Sequence, residues 1–513
     1  MARAERPNFL VITTDQQRGD CLGVAGRNVH TPHLDRLAGR GTRFANCMTA
    51  SPICQPSRAS ILTGRLPLTH GVRDNGIDLE PDEAEKGFAA RLSRDGYRTG
   101  FVGKAHFSTK LTFAPTGRPE CRSSSADYDE DWHGPYMGFD HVELMLGTMT
   151  EAFPPLAPPA GQHFERWFAP RREEALALWE TRVPPHTGAP QTWTSALPGA
   201  WHPTTWVAER AAAFLKQAGG GSGEPFCLWA SIPDPHHPFD CPLPWARLHA
   251  PEDVEVPLPE MPDAARPWWY AAAREGAPAI ADPVMRAFRS GKSRMPKLTP
   301  AQTAQMVSNY YGMIAFADDA VGRMLTALAM AGLADNTIVV FLSDHGDLLG
   351  DHGLTLKGPM LVDGLIRVPL IAAGPGIVAG QTVDTPVSTI DLAPTLAELA
   401  GLPTADDAQG TSLAPMLAGG ESERDPVFTE WRVDERRFGR ALDLRCVRTA
   451  TAKLIVERNS GDGELYDLEN DPDEMRNVFD DPACAHLRRE MLALIDRRPG
   501  VTRTTFAEPV GMS

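Results

Sequence analysis

Cys54-Gln55-Pro56-Ser57-Arg58, running on through Ala59-Ser60-Ile61-Leu62-Thr63-Gly64-Arg65, puts a thiol, a proline and a guanidinium within one short stretch. Pro56 fits the first turn of a helix, where no backbone donor is needed. The free N–H groups and the dipole of that helix would face Cys54 and make an anion site. Arg58 adds a positive fork suited to a planar or tetrahedral oxyanion. Asp15 and Asp344 each close an apolar run, and His345 follows the second. Carboxylates from separate strand ends suit a hard divalent cation.

These groups need a scaffold that gathers distant parts of the chain. Short apolar runs alternate with helical stretches, the pattern of an α/β sheet. Strands are predicted at Phe9–Thr14, Tyr97–Val102, Phe226–Ile232, Thr337–Ser343 and Val368–Ala372. Helices are predicted from Thr31-Pro32 through Arg40, over Phe88–Arg94, Ala301–Ala331 and Asp391–Ala400. Asp15, Lys104, His236 and Asp344 then fall at or just past the C-terminal ends of strands, the edge where open α/β sheets build sites. Residues from about 127 to 294 are rich in proline and hold ten of the eleven tryptophans. They read as an insertion whose tryptophans mostly pack helices, some lining a pocket. From about residue 422 the pattern changes to short alternating strands, Val427–Trp431, Leu444–Arg448 and Lys453–Glu457, with a helix from Cys484 to Arg497. The expectation is a catalytic domain over 1–421 and a smaller C-terminal α+β subdomain over 422–513.

The run from Cys54 to Arg65 resembles the signature of the formylglycine-dependent (type I) sulfatases. Gly103-Lys104-Ala105-His106, Pro235-His236-His237-Pro238-Phe239, His70-Gly71 with Asn75, the late Lys357 and the closing phrase Leu465 to Asn477 resemble further segments of that family, in its order. The fold implied is alkaline-phosphatase-like: a large, mixed, mostly parallel sheet sandwiched by helices. In that family the cysteine is oxidised to formylglycine (3-oxoalanine), so a formylglycine-generating enzyme is an implied partner. The metal ligands implied are Asp15, Gln16, residue 54, Asp344 and His345. Gln16 and His345 depart from the commoner aspartate and asparagine, and resemble choline sulfatases and phosphonate monoester hydrolases. Amide and imidazole ligands admit Mn²⁺ more readily than an all-oxygen site, so one Ca²⁺ or Mn²⁺ is expected.

The resemblance implies that Arg58, Lys104, Lys357 and the cation neutralise a sulfate ester, that His236 with Lys357 protonates the departing oxygen, and that His106 is the base of the second half-reaction. Asn75, Lys104, His236 and Lys357 are the implied substrate contacts, and His237 is the variable position of its motif. The main reading is a sulfuric ester hydrolase acting on aryl or small alkyl sulfates. The alternatives are a phosphonate monoester or phosphodiester hydrolase, a choline sulfatase, a cysteine hydrolase, and a non-catalytic anion- or metal-binding protein if Cys54 stays unconverted.

Composition bounds the partners. The chain has 513 residues, 42% of them hydrophobic, and a net charge of -16. An acidic surface argues against nucleic acid and anionic membranes. No apolar run approaches the ~20 residues of a membrane span. The opening residues lack the apolar core of a signal peptide, and eight scattered cysteines without C-x-x-C spacing fit a reducing compartment. A cytoplasmic location is expected, and a homo-oligomer on base rates.

Overall fold

The computed structural model describes residues 6–147, 161–221, 223–255, 257–262, 266–275, 279–290, 297–421 and 426–512. The expected domain boundary at 422, and parts of the tryptophan-rich segment, lie outside the described residues. The strands are β1 (Asn8–Thr14), β2 (Thr42–Met48), β3 (Arg98–Lys104), β4 (His141–Met145), β5 (Thr192–Thr194), β6 (Phe226–Ser231), β7 (Phe239–Cys241) and β8 (Thr337–Ser343). They continue with β9 (Arg367–Ala373), β10 (Gln381–Val383), β11 (Val387–Ser388), β12 (Val427–Val433), β13 (Leu442–Arg448), β14 (Ala452–Glu457) and β15 (Gly463–Asp467).

Among the described residues nine strands form one sheet in the order β10-β2-β9-β8-β1-β6-β3-β4, with β11 beside β2. β8, β1, β6, β3 and β4 run parallel, and β9 runs against both of its neighbours. This is the mixed, mostly parallel sheet expected from the sequence. β1 is buried along its whole length, as a central parallel strand covered on both faces must be. Phe9 and Val11 enter one core, Leu10 and Ile12 the other. The first core also takes Ile61 and Leu62, Phe88, and Leu392 and Leu396, from the helices Cys54–Thr63, Phe88–Arg94 and Leu392–Leu399. The second takes Leu34, Trp206 and Val321 from Pro32–Gly39, Pro203–Gly219 and Pro300–Met330. The long helix opens on Thr299, whose hydroxyl accepts from the Gln302 N–H in a capping box.

A second sheet, β12-β13-β14-β15, is antiparallel throughout. It has four strands where three were expected. The helix Ala485–Ile495 contributes Met491 and Ile495 to the core on one face of this sheet. β12 is tied to the segment leading into Cys54: the Thr429 hydroxyl donates to Thr49 O (2.6 Å) and Glu430 N–H to Ala50 O (2.9 Å). Trp206, Trp229 and Trp269 are wholly buried, and others pack partly buried against the same cores, so packing is what most of the described tryptophans do.

The register of the parallel strands sets the site. Thr13 pairs with Ser231, Thr14 with Ser343 and Gly103 with Ser231. Gly103 has φ +111°, and a Cβ there would lie 2.1 Å from the Ser231 carbonyl oxygen. Only glycine meets both conditions. A Gly103→Ala substitution is therefore expected to lower stability by at least about 3 kcal/mol and to displace Lys104; thermal unfolding with a parallel activity assay checks this.

Candidate active site

The helix Cys54–Thr63 begins at Cys54 and is buried along its whole length. Its first turn is satisfied by a neighbouring loop. Gln55 N–H donates to Asn75 Oδ1 (3.0 Å), Gln55 Nε2 donates to Ile77 O (2.8 Å), and Gly76 N–H donates to Gln55 Oε1 (2.9 Å). Asn75, expected as a substrate contact, thus commits its carbonyl oxygen to holding the helix start.

Arg58, one turn on, is 0% exposed. Its Nε donates to Asp344 Oδ2 (2.8 Å) and one terminal nitrogen to Asp15 Oδ2 (3.1 Å). The other donates to Lys104 O (2.6 Å) and Ser231 Oγ (2.8 Å). The fork expected to meet an oxyanion instead clasps the ends of four strands, β1, β3, β6 and β8. Its position explains why the two carboxylates can sit together. Burial would push Asp15 up, but Lys104, His236, Arg58 and Lys357 hold it well below the usual carboxylate range.

Each carboxylate turns one oxygen outward to these cations and the other inward. Lys104 Nζ lies 2.5 Å from Asp15 Oδ2. Asp344 Oδ1 accepts from the Gln16 and His345 N–H groups (3.0 and 2.9 Å). The Asp344 carbonyl accepts from Thr49 and Ser57 hydroxyls (2.6 Å each), fixing the strand end against the cysteine helix. His345 Nδ1–H donates to Gly346 O (2.8 Å), which leaves Nε2 as the bare nitrogen. That nitrogen stands 3.1 Å from Cys54 Sγ, 3.7 Å from Asp15 Oδ1 and 3.9 Å from Asp344 Oδ1. One ligand atom from each of Asp15, Cys54, Asp344 and His345 lies within 4.8 Å of the others. Two carboxylate oxygens, an imidazole and residue 54 fit a divalent cation, with Gln16 beside them.

The Lys357 ammonium sits among the same acceptors. It is 2.9 Å from Cys54 Sγ, 3.2 Å from Gln16 Oε1, 3.0 Å from His236 Nε2 and 3.3 Å from His345 Nε2. His236 Nδ1 donates to His237 O (2.5 Å), so its Nε2 accepts from Lys357. Burial, with Lys357 and His237 nearby, pushes the His236 imidazole well down and keeps it neutral. Burial opposes ionisation of the Cys54 thiol, and so does Asp15; Lys357, His345 and Lys104 overcome both and leave it below an ordinary thiol. His106 follows β3 in a left-handed conformation (φ +53°), is buried, and its Nδ1 has no hydrogen-bond partner. Burial, then Lys104 and Arg58, hold it neutral as well.

Three contributors escaped the sequence reading. Asp347 Oδ2 accepts from Gln16 Nε2 (2.5 Å), so the Gln16 carbonyl oxygen is the one turned toward the site. The spacing in Asp344-His345-Gly346-Asp347 was a signal that could have found it. His237, set aside as variable, lies 3.1 Å from the Gln16 amide. Glu120 has no signal at all; its Oε1 accepts from Phe107 N–H (3.0 Å), Ser108 N–H (3.0 Å) and the Tyr136 hydroxyl (2.8 Å), pinning the turn after His106.

Burial pushes Glu120 up to about 7 despite those hydrogen bonds. The folded value is above the ~4.3 of a free glutamate. Its contribution to stability is therefore complete below about pH 4.3 and lost as pH rises through about 7. A Glu120→Gln variant should lack that decline, which is on the order of 3 kcal/mol in the wild-type chain. Urea unfolding of both proteins across this range is the check.

The comparisons accord with this geometry. The family model described as "Sulfatase" matches residues 7–402, and that described as "N-sulphoglucosamine sulphohydrolase, C-terminal" matches 350–498. An arylsulfatase of Clostridium perfringens is 30% identical, over 92% of this chain and 90% of that protein. A choline-sulfatase of Rhizobium meliloti is 27% identical, over 93% and 83%. The crystal structure of a phosphonate monoester hydrolase of Agrobacterium radiobacter aligns with a TM-score of 0.76 at 28% identity, covering 97% of each chain. The chain belongs to the sulfatase family of the alkaline phosphatase superfamily and is a hydrolase acting on sulfate esters.

Proposed function

We propose that this enzyme cleaves aryl or small alkyl sulfate monoesters through residue 54 after Cys54 has been oxidised to formylglycine. The observation that supports it is the placement of Cys54 Sγ, 3.1 Å from His345 Nε2 and 3.8 Å from Asp15 Oδ1, at the start of a helix. A hydrated aldehyde there would supply two hydroxyls on one carbon, one to attack sulfur and one to expel the sulfate afterwards, which a thiol or a single hydroxyl side chain cannot do. Asp15, Gln16, Asp344 and His345 would hold one Ca²⁺ or Mn²⁺ beside residue 54. Bound there, the cation would supply positive charge to the nucleophile and to the ester oxygens.

The chain's own groups do the rest. Lys104 and Lys357 are the cations placed to meet the sulfate oxygens, Asp15 orienting the first. Arg58 positions the carboxylates. Lys357 hands a proton along its 3.0 Å contact to His236 Nε2, which delivers it to the departing oxygen. Neutral His106, held by the turn that Glu120 pins, takes a proton in the second half-reaction. We place the catalytic unit over 1–421 and a C-terminal unit from 422, in line with the two separate sheets. A cytoplasmic location is supported by the seven other cysteines, which stand as free thiols. Among the described residues no helix is long and apolar enough to cross a membrane.

A phosphonate monoester hydrolase is the second reading, favoured by Gln16 and His345 and by the Agrobacterium radiobacter structure. Lys104 with His106 tilts the choice to sulfate. Paired kcat/KM measurements on 4-nitrophenyl sulfate and a phenyl phosphonate ester should favour the sulfate, and a much larger value on the phosphonate reverses the assignment. Dialysis against a chelator should remove activity, and Mn²⁺ or Ca²⁺ should restore it.

A further inference from the structure

We propose that this protein carries a second metal site, for zinc, at the outer edge of its large sheet. His133, His141 and Glu143 each offer one ligand atom, all within 4.8 Å of one another. β4 is the edge strand, and His141 and Glu143, two residues apart, share one of its faces. His133 reaches them from the preceding loop, which is pinned where Val142 N–H donates to His133 O (2.7 Å).

The chemistry of each group suits a ligand. His133 Nδ1 faces Val142 O at 3.3 Å, so it carries the proton and leaves Nε2 with the lone pair. A backbone carbonyl behind a ligating imidazole is the usual arrangement. His141 Nε2 and Glu143 Oε1 are 3.5 Å apart. Adjacent ligands around tetrahedral zinc are separated by roughly 3.4 Å when bonds are ~2.05 Å, so this pair already has the needed spacing. His133 is exposed, with its ring stacked on that of His141 at 5.1 Å between centres, so a small approach of its loop closes the third distance.

A neighbouring histidine shows the contrast. His163 lies tilted against His133 with ring centres 4.6 Å apart, but its Nδ1 accepts from Leu144 N–H (3.0 Å) and its Nε2 donates to Trp132 O (2.8 Å). Both nitrogens are taken, so it walls the site and does not ligate. Two imidazoles and one carboxylate leave one zinc position for water.

The site is separate from catalysis. Gly100 pairs with His141 and Lys104 with Met145, so His141 lies at the strand end away from the catalytic edge. The donor sets differ too: imidazoles select zinc, whereas the oxygen-rich centre accepts Ca²⁺ or Mn²⁺. The metal would clip the loop at His133 to the partly buried edge strand.

The test is zinc content. Holoenzyme carrying its catalytic metal is dialysed at micromolar free zinc, and zinc per chain is measured by plasma mass spectrometry. The wild-type protein should hold one zinc more than His133→Ala, while turnover of 4-nitrophenyl sulfate stays within about twofold. Glu143→Gln, which keeps the side-chain shape, should also lose that zinc. Equal zinc in wild type and in either folded variant overturns the proposal.

Discussion

Replacing Cys54 by Ala should lower sulfate-ester turnover by roughly five orders of magnitude, as loss of a nucleophile does, while the protein stays folded. The fold should tolerate it because the change removes one sulfur from a small buried side chain. The helix start remains held through Gln55 by Asn75 and Ile77. Lys357 loses one of its four neighbours and keeps Gln16, His236 and His345. The measurement is kcat/KM on 4-nitrophenyl sulfate beside a thermal melt. Substantial retained activity in a folded Cys54→Ala protein refutes a nucleophile at position 54. Peptide mass spectrometry of the wild-type protein gives an independent reading, since conversion of thiol to aldehyde makes the peptide lighter.

Arg58→Ala should have the largest effect on the fold. The guanidinium is 0% exposed and pairs with two carboxylates, each also 0% exposed. Removing one partner of a buried pair typically costs about 3–5 kcal/mol, because the remaining charge is left unpaired. Here two carboxylates lose a partner together, and the Lys104 and Ser231 oxygens lose a donor. The melting temperature of the chelated protein should fall sharply, and bound metal should restore part of it. Arg58→Lys should be intermediate, because an ammonium keeps the charge but cannot span both carboxylates. A near-wild-type melt of Arg58→Ala would mean that Lys104 alone neutralises the pair.

Much of this architecture was legible because its parts are local. Asn8–Thr14 and Thr337–Ser343 are apolar runs that only a covered parallel strand explains, and both end on the residues that build the site. The helix Phe88–Arg94 matches its predicted range. β2 was not legible: its burial alternates imperfectly, and its register against β9 shifts between Phe44 and Cys47. β4, half exposed at an edge, was missed for a similar reason. At the site, motif spacing brought out Asp15, Cys54, Lys104, His236, Asp344 and Lys357, which the structure gathers. Spacing says nothing about which way a side chain faces, so Arg58 was read as pointing at a ligand when it points at the protein. Glu120 shows the other limit. Its contacts with Phe107, Ser108 and Tyr136 depend on how a loop folds back, and no pattern records that.

The burial of Cys54 bears on how the enzyme comes into being. The residue is 1% exposed, closed in by groups that come 291 and 303 residues later, His345 and Lys357. Among the described residues, those groups cover the sulfur of residue 54 in the folded molecule. Under the proposed oxidation of Cys54, the modifying enzyme would have to reach this stretch before those later segments close over it. A mutation that hastens collapse around residue 54 should then lower the fraction of chains that carry the aldehyde, which peptide mass spectrometry reads.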